Sequence, residues 1–502
     1  HSHCIAIMSL HYFCSQLRVA VYSESLSLNI YQTNILVYFA FTLLQLIFLL
    51  KQGMKPFLIF ISLLLTTPPG LFCGTDSDLL MSGPMVCNTE MREVLIWVQT
   101  TAPAKVKIAY WDSSRVQIPY LTQEVLTEKN TAYTAKLLAD SVQPGISYTY
   151  ELRINNNVIP RPYPLTFKTP KLWQWRTEPP SFKIALGSCV YINDTLYDRP
   201  GNKYGGGYEI FTNIYNQHPD IMLWLGDNNY LREADWNTRT GILYRYTHSR
   251  KVKEMQPLLG SVSNYAIWDD HDFGPNDSDK GYWNKETSLE AFKLFWGNPG
   301  YGINGKPGVT TTFEQSDVQF FLMDNRYYRN PDKRKTGERR ILGKEQLEWL
   351  LDNLASSTAT FKVVALGGQV LNPAAKYETY ATYPEEMNEL LTAIEKENVS
   401  GVVFLSGDRH HTELSKLERA GTYPLYDLTC SPLTSYAHPD DGELNTLRVP
   451  GTLVNQHNFA TIEFTKEKAA RAMNITVYAQ DGKELWKRSI LASELQVPNK
   501  KK

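Results

Sequence analysis

Apolar and polar residues alternate over several short runs between residues 78 and 170. Val94, Ile96 and Val98 form one run, and Val106, Ile108 and Tyr110 form the next. Tyr133, Ala135 and Leu137 repeat the pattern, and Tyr148, Tyr150, Leu152 and Ile154 extend it. A period of two puts one side of each segment in a core and the other in solvent, as in a half-buried strand. Pro103, Pro144-Gly145 and Asn155-Asn156-Asn157 punctuate the runs, so 78–170 predict a small β-sandwich domain. Nothing there points to catalysis; packing or a substrate rim is the expected role.

The pattern changes at Lys171–Pro180, where tryptophans and Pro179-Pro180 mark a join. Beyond it, over 181–495, short apolar runs alternate with helix-period segments, which predicts an α/β domain. Phe182–Leu186, Ile221–Leu225, Tyr265–Trp268, Phe361–Leu366 and Val402–Leu405 read as buried strands. Tyr208–Gln217, Glu286–Phe295, Lys344–Leu354 and Pro384–Lys396 read as helices. Leu347, Leu350, Leu351 and Leu354 make one apolar helix face, and Asn284 is placed to cap the helix that starts at Lys285. Thr461–Phe464 and Asn474–Val477 read as late strands closing the sheet. No fixed-period repeat is visible.

With 502 residues, 43% of them hydrophobic and 12% aromatic, the chain can fill more than one core. Basic and acidic residues number 51 and 52, which argues against bulk electrostatic binding to nucleic acid. Six cysteines in this length do not make a disulfide framework. At the amino end, Ile35–Leu50 is nearly uncharged and apolar, and Met54-Lys55 leads into Phe57–Leu65, where only Ser62 is polar. Residues 54–75 read as a secretory signal peptide, with 1–53 as upstream translation or, alternatively, a membrane segment. Cys73 follows where a lipidated cysteine can sit, although Gly70-Leu71-Phe72 is a poor lipobox. The expectation is an exported protein, periplasmic, surface-bound or extracellular, touching a membrane only through its amino end, and monomeric.

The chemistry follows the strands. Phe182–Leu186 runs into Gly187-Ser188-Cys189, and Ile221–Leu225 into Gly226-Asp227-Asn228-Asn229-Tyr230. Tyr265–Trp268 runs into Asp269-Asp270-His271-Asp272, and Val402–Leu405 into Ser406-Gly407-Asp408-Arg409-His410-His411. Open α/β sheets place ligands beyond the carboxyl ends of their strands, so carboxylates, imidazoles, a thiol and a phenol would converge on one edge. Glycine before Asp227 and Asp408 is expected to let the chain turn sharply and leave room for an ion. Alone, a Gly-Asp pair is an ordinary turn and Cys189 a small buried hydrophobe. Three carboxylates within Asp269–Asp272 repel one another unless solvated or shared with a cation. Oxygen ligands suit hard cations, whereas thiolate and imidazole suit softer metals, so the mixed set suggests more than one ion. A pair of ions needs a bridging carboxylate, and Asp227 is placed for it. His271 is placed to donate to a leaving or phosphoryl oxygen.

Gly226-Asp227-Asn228-Asn229-Tyr230 resembles the Gly-Asp-x-x-Tyr element of the calcineurin-like and purple acid phosphatases, whose tyrosine binds ferric iron. Gly187-Ser188-Cys189 stands where that superfamily has Asp-x-His, Asp269–Asp272 where it has Gly-Asn-His-Asp/Glu, and Ser406–His410 where it has Gly-His-x-His. These departures resemble the PhoD-like alkaline phosphatase (alkaline phosphatase D) branch, as do Asp324-Asn325-Arg326-Tyr327-Tyr328-Arg329 and Gln346-Leu347-Glu348-Trp349-Leu350. The resemblance implies a four-layer αββα metallophosphatase sandwich behind a fibronectin-like β-sandwich. It implies hydrolysis of phosphomonoesters or phosphodiesters, with ferric iron and Ca2+ as the expected ions and other divalent metals as substitutes. By matching position, Cys189, Asp227 and Tyr230 would hold iron, and Asp227 would bridge to calcium. Asp270, Asp408 and His410 would complete the site, His271 would contact the phosphate, and Asn228 and Arg409 would be substrate contacts. A phospholipase D-like phosphodiesterase acting on lipid headgroups, and a non-catalytic binding protein keeping the fold, are the alternatives.

Three further features have plain structural readings. Gly205-Gly206-Gly207 lacks the Gly-Lys-Ser/Thr ending of a nucleotide loop and reads as a flexible surface loop. Arg329–Arg340 carries six basic residues that read as a solvated loop or an attractor of anions. Tyr377, Tyr380 and Tyr383 would line the cleft mouth or pack.

Overall fold

A computed structural model describes residues 76–115, 118–438, 444–465 and 468–498. The expected signal peptide, its upstream segment, Met54 and Cys73 lie outside the described residues. Among the described residues no helix is long and apolar enough to cross a membrane.

The alternating runs near the amino end form nine strands: β1 (Leu80–Thr89), β2 (Val94–Thr100), β3 (Lys105–Asp112), β4 (Tyr120–Leu121), β5 (Val125–Leu126), β6 (Thr134–Ala139), β7 (Ser147–Ile154), β8 (Asn157–Ile159) and β9 (Thr166–Lys168). One sheet runs β1-β2-β6 and the other β4-β3-β7-β8, with β5 on β3 and β9 on β7. Val94, Ile96 and Val98 share a single core with Val106, Ile108, Tyr148, Tyr150 and Leu152, so the period-two faces meet across the two sheets. The opposite side of β1 and β2 turns Met85, Cys87 and Trp97 into a second core that belongs to the following residues. Hydrogen bonds cross this junction: Trp97 Nε1 donates to Leu294 O at 2.8 Å, and Asn264 Nδ2 to Val86 O at 3.1 Å. These contacts are packing, and none of the region's described residues lines the cleft described below.

The α/β part contains two six-stranded sheets. The first joins β10 (Phe182–Gly187), β11 (Ile221–Leu225) and β12 (Ser263–Ile267) to β19 (Asn458–Phe464), β20 (Ala472–Ala479) and β21 (Glu484–Leu491), in the order β12-β11-β10-β19-β20-β21. The second is formed by β13 (Thr311–Gln315), β14 (Val318–Leu322), β15 (Phe361–Ala365), β16 (Val402–Ser406), β17 (Glu413–Leu417) and β18 (Leu425–Thr429), ordered β13-β14-β15-β16-β18-β17. Ile184, Leu186, Ile221, Leu223 and Leu225 share one core with Val363, Ala365, Val403 and Leu405, which fills the space between the sheets. Ala185, Met222, Trp224 and Ala266 face the other way, onto the helices Glu209–Asn216, Arg239–Arg250 and Lys285–Phe295. The helices Lys344–Ser356 and Pro384–Lys396 cover the second sheet through Leu347, Leu350, Leu354, Leu390 and Ile394. The layers are therefore helix, sheet, sheet, helix. The helix at Lys285 begins as expected, but the Asn284 side chain caps no backbone amide. Its Oδ1 accepts instead from Thr287 Oγ1 at 2.7 Å.

β10, β11 and β12 are mutually parallel, as are β14, β15, β16 and β18. Every chemically loaded loop follows one of these strands. The parallel arrangement consequently gathers all of them at one edge of the sandwich.

Candidate metal centre

Each ligand loop is bent by its own backbone. Cys189, Asp227, Asp408 and His410 lie in the left-handed region, at φ of 62°, 49°, 63° and 54°. Non-glycine residues held there cost about 1–3 kcal/mol each and persist only when their surroundings over-determine them. Those surroundings are other loops: Cys189 N donates to Gly226 O at 3.2 Å, Val190 N to Asp227 O at 2.7 Å, and Thr434 N to Cys189 O at 3.2 Å. The glycines before the aspartates serve close packing rather than space for an ion. At Gly407, which is not in the left-handed region, a Cβ would sit 2.6 Å from Leu225 O and 2.7 Å from Ser188 Cβ. Gly407→Ala should therefore lower stability by about 1–3 kcal/mol and displace Asp408, whereas Gly206→Ala, whose nearest neighbour is 4.0 Å away, should not. Thermal melts of both variants test this, and equal melting points would refute it.

Four overlapping groups of donor atoms result. Cys189, Asp227 and His410 place ligand atoms within 4.8 Å of one another, as do Asp227, Asp270 and His271. Asp269, Asp270 and Asp408 form a third group and Asp270, Asp277 and Glu378 a fourth. Asp227 is thus shared between the sulfur-containing group and one that includes Asp270. Tyr230 OH lies 3.3 Å from His410 Nε2, and its ring stacks on His271 at 4.2 Å. His410 Nδ1 lies 2.5 Å from Tyr436 O, which makes Nδ1 the donor and leaves Nε2 as the acceptor that faces Tyr230 and the group. The cleft above has a volume of about 530 Å³ and is lined by Asp227, Asp270, His271, Asp408, Arg409 and His410 together with Tyr204 and Tyr377. A cavity of about 710 Å³ lies beneath the 169–181 segment, beside Phe182, Ile221 and Ser263 at the amino ends of β10, β11 and β12. It gathers none of these donors, so the chemistry belongs to the smaller cleft.

The three adjacent carboxylates solve their repulsion unequally. Asp272 accepts from the Asn228 and Asp269 amides, both at 3.1 Å. Asp269 is paired with the fully buried Arg326 and accepts from Asn325 Nδ2 at 2.8 Å. Arg326 also grips Glu378 at 2.7 Å and stands 3.8 Å from Asp270. Burial acts to raise the Asp270 carboxyl, yet His271, Arg326, the Asp277 amide and Asp227 together hold it at about 2. Burial, then the surrounding carboxylates, push Asp227 and Asp408 well above the usual range. Burial and the Asp227 charge do the same to the Cys189 thiol and the Tyr230 phenol, while burial pushes His410 down to about 3. Asp270 apart, the centre thus disfavours its own anions; a bound cation reverses that balance. Asp269 Oδ2, Asp270 Oδ1 and His271 Nδ1 are buried without a hydrogen-bond partner. Orphaned buried oxygens and nitrogen next to a sulfur–oxygen–nitrogen trio are a donor set that fits cations.

Asn228 does not join the cleft. Its Nδ2 donates to Ile267 O at 2.7 Å, which turns the side chain under its own loop. Arg409 does line the cleft; its Nη1 donates to Lys376 O at 3.3 Å and Tyr377 O at 3.1 Å, with the guanidinium over the Tyr377 ring. Of the three tyrosines only Tyr377, 61% exposed, reaches the mouth, and Tyr380 and Tyr383 are buried. The glycine run is not an anion cradle: Gly205 and Gly206 amides donate to Asn193 Oδ1 at 3.1 Å and Thr434 O at 2.9 Å. In the basic run, Arg329 pairs with Glu378 at 3.0 Å and Arg340 with Glu389 at 2.8 Å, while residues 333–335 are exposed. Asp269, Asp277, Glu378, Arg326, Tyr204, Ser431 and Tyr436 belong to the centre without having been singled out for it. Two of them carried a signal: Asp269, in the Asp269–Asp272 run, and Arg326, in the Asp324–Arg329 motif.

Residues 306–482 match the PhoD-like phosphatase family. The PhoD-like segment holds Arg326, Glu378, Asp408, His410 and Ser431, whereas Cys189, Asp227, Tyr230, Asp270 and His271 precede it. Residues 77–171 match a family described as a domain of unknown function, DUF7800. Alkaline phosphatase D of Bacillus subtilis (strain 168) is 24% identical over 342 residues, which is 58% of this chain and 56% of that relative. The chain therefore spans just over half the length of the curated relative it matches. A solved structure of PhoD superposes with a TM-score of 0.65 at 17% identity, covering 84% of this chain and 93% of that one. Purple acid phosphatase PPD1 from yellow lupin seeds superposes with a TM-score of 0.61 at 12% identity, covering 81% and 74%. The layered sandwich read from the sequence is thus the fold these phosphatases share. The superpositions show the likeness of fold over most of the chain.

Proposed function

We propose that the chain is a metal-dependent phosphoesterase that hydrolyses phosphomonoesters or phosphodiesters in the 530 Å³ cleft. The observation that carries this reading is the sharing of Asp227 between the Cys189–His410 group and the Asp270–His271 group. Cys189, Asp227, Tyr230 and His410 would hold the ion that takes sulfur and nitrogen as well as oxygen; the resemblance points to ferric iron there, a hard cation that the phenolate and carboxylate suit. Asp269, Asp270 and Asp408, with oxygen alone to offer, would hold a hard ion such as calcium. Cations at these positions would draw charge from the phosphoryl oxygens and acidify a water. Burial lowers the His271 pKa, so its imidazole is neutral at alkaline pH and can pass a proton to or from an oxygen in the cleft. His271 is held for that task at both ends, because its amide donates to Asp227 Oδ1 at 3.1 Å and its ring stacks on Tyr230. Arg409 sets a cation at the cleft wall that complements the anionic ester.

The test is release of nitrophenol from bis-nitrophenyl phosphate and nitrophenyl phosphate by the purified chain at alkaline pH. Iron and calcium should support turnover, and chelation should remove it reversibly. The ratio of the two rates separates diester from monoester preference. A folded, metal-loaded sample inactive on both would overturn the proposal.

A further inference from the structure

We propose that Ser431 is a positioning residue that directs its single hydroxyl proton onto the Cys189 sulfur and thereby tunes the ion held there. The inference rests on reading Cys189 as a metal ligand. Ser431 is fully buried, two residues beyond the end of β18. Its Oγ lies 3.1 Å from Cys189 Sγ and accepts the His410 amide at 3.0 Å. A hydroxyl has one proton to give; with the His410 N–H on one lone pair, that proton is aimed at sulfur. The other hydroxyl near the thiol is Ser188, whose Oγ is 3.5 Å from Sγ. Its proton goes elsewhere, to Cys430 O at 2.9 Å.

One oxygen therefore braces two members of the same donor trio, Cys189 through its sulfur and His410 through its backbone. Ser431 is itself pinned: its amide donates to Thr412 Oγ1 at 3.0 Å, and its carbonyl accepts from Asn458 Nδ2 at 2.8 Å. A hydrogen bond to a metal-bound thiolate draws electron density off sulfur, which weakens its donation and raises the reduction potential of the ion. It also stabilises the sulfur lone pair, so sulfur-to-metal charge transfer moves to higher energy. Ser431 would set both quantities without touching metal or substrate.

The experiment loads the full chain with ferric iron and records its charge-transfer spectrum and reduction potential. The sulfur band is the one lost in Cys189→Ser. Ser431→Ala should move that band to lower energy and lower the potential. Ser431→Thr, which keeps the hydroxyl, should restore the parent values, and Ser188→Ala should leave the band in place. A band and potential unmoved by Ser431→Ala, or moved as far by Ser188→Ala, would overturn the inference. If Ser431→Ala does not fold, deuterium exchange of the parent decides: the iron–sulfur stretching frequency should shift, and an unmoved frequency overturns it. An iron-loaded parent with no band sensitive to Cys189→Ser would overturn the ligand assignment itself, and this inference with it.

Discussion

Asp227→Asn is expected to lower turnover by about 100- to 1,000-fold, the scale on which loss of one electrostatic stabiliser of a transition state is felt. Asp227 is the donor common to the sulfur-containing group and the Asp270–His271 group, so neutralising it weakens both ion positions together. Asparagine keeps the shape, tolerates the left-handed backbone, and can still accept the His271 amide that Asp227 Oδ1 holds at 3.1 Å. The loss should therefore appear in a folded protein. Stability should move the other way. Burial and then Asp270, Asp269, Asp272 and Asp408 hold the Asp227 carboxyl well above its usual range. A folded-state pKa above the unfolded value means that ionising the group costs stability once pH rises past the unfolded value, about 3.9. In chelator at neutral pH the variant should melt above the parent, and the two melting points should converge below about pH 3.9. With iron and calcium the parent alone should gain markedly. Retained turnover would dismiss Asp227 as the bridging donor.

Arg326→Met should destabilise the protein by about 3–5 kcal/mol, the usual cost of removing one member of a buried ion network. Arg326 is fully buried and is the cation against which Asp269 and Glu378 are packed. Methionine fills much of the volume, so the penalty measures the charge rather than a cavity. Removing a stranded carboxylate as well, in Arg326→Met with Glu378→Gln, should recover part of the loss, because residues in one network do not act additively. Denaturant midpoints of parent, single and double variants give this directly. A single variant within about 1 kcal/mol of the parent, well below that range, would show that the network does not hold the acidic loops in place.

The legible and illegible parts of the centre differ in kind. Strand ends are readable to within one residue, at Leu186, Leu225 and Leu405 against Gly187, Leu225 and Ser406 in the structure, because buried parallel strands are continuous apolar runs and their loops begin where the apolar residues stop. β13 and β14 were not singled out, although Val318–Leu322 is buried throughout, because Thr311–Gln315 beside it is largely polar. The helix Arg239–Arg250 lacks a clear apolar face in the sequence for a related reason: Arg245 and Arg250 are buried on it. Arg245 pairs with Asp235 at 2.9 Å and Arg250 lies over the Trp296 ring, so its inward face does not look apolar in sequence.

Which residue types would meet was determined by the chain itself, since short apolar strands followed by Cys189, Asp227, Asp270, Asp408 and His410 deliver those donors to one sheet edge. Which way each side chain turns was decided only by tertiary structure. Asn228 and Asp227 are neighbours, yet one is tied to Ile267 O and the other shared between two donor groups. Asp269 and Asp270 are neighbours as well, yet Arg326, arriving from the far sheet, pairs closely with the first and stands 3.8 Å from the second, while each keeps one buried oxygen without a hydrogen-bond partner. Sequence periodicity reports which face of an element is buried. Partners brought together across 40 or more residues, by packing two sheets face to face, determine which buried charges are neutralised and which are left to hold an ion.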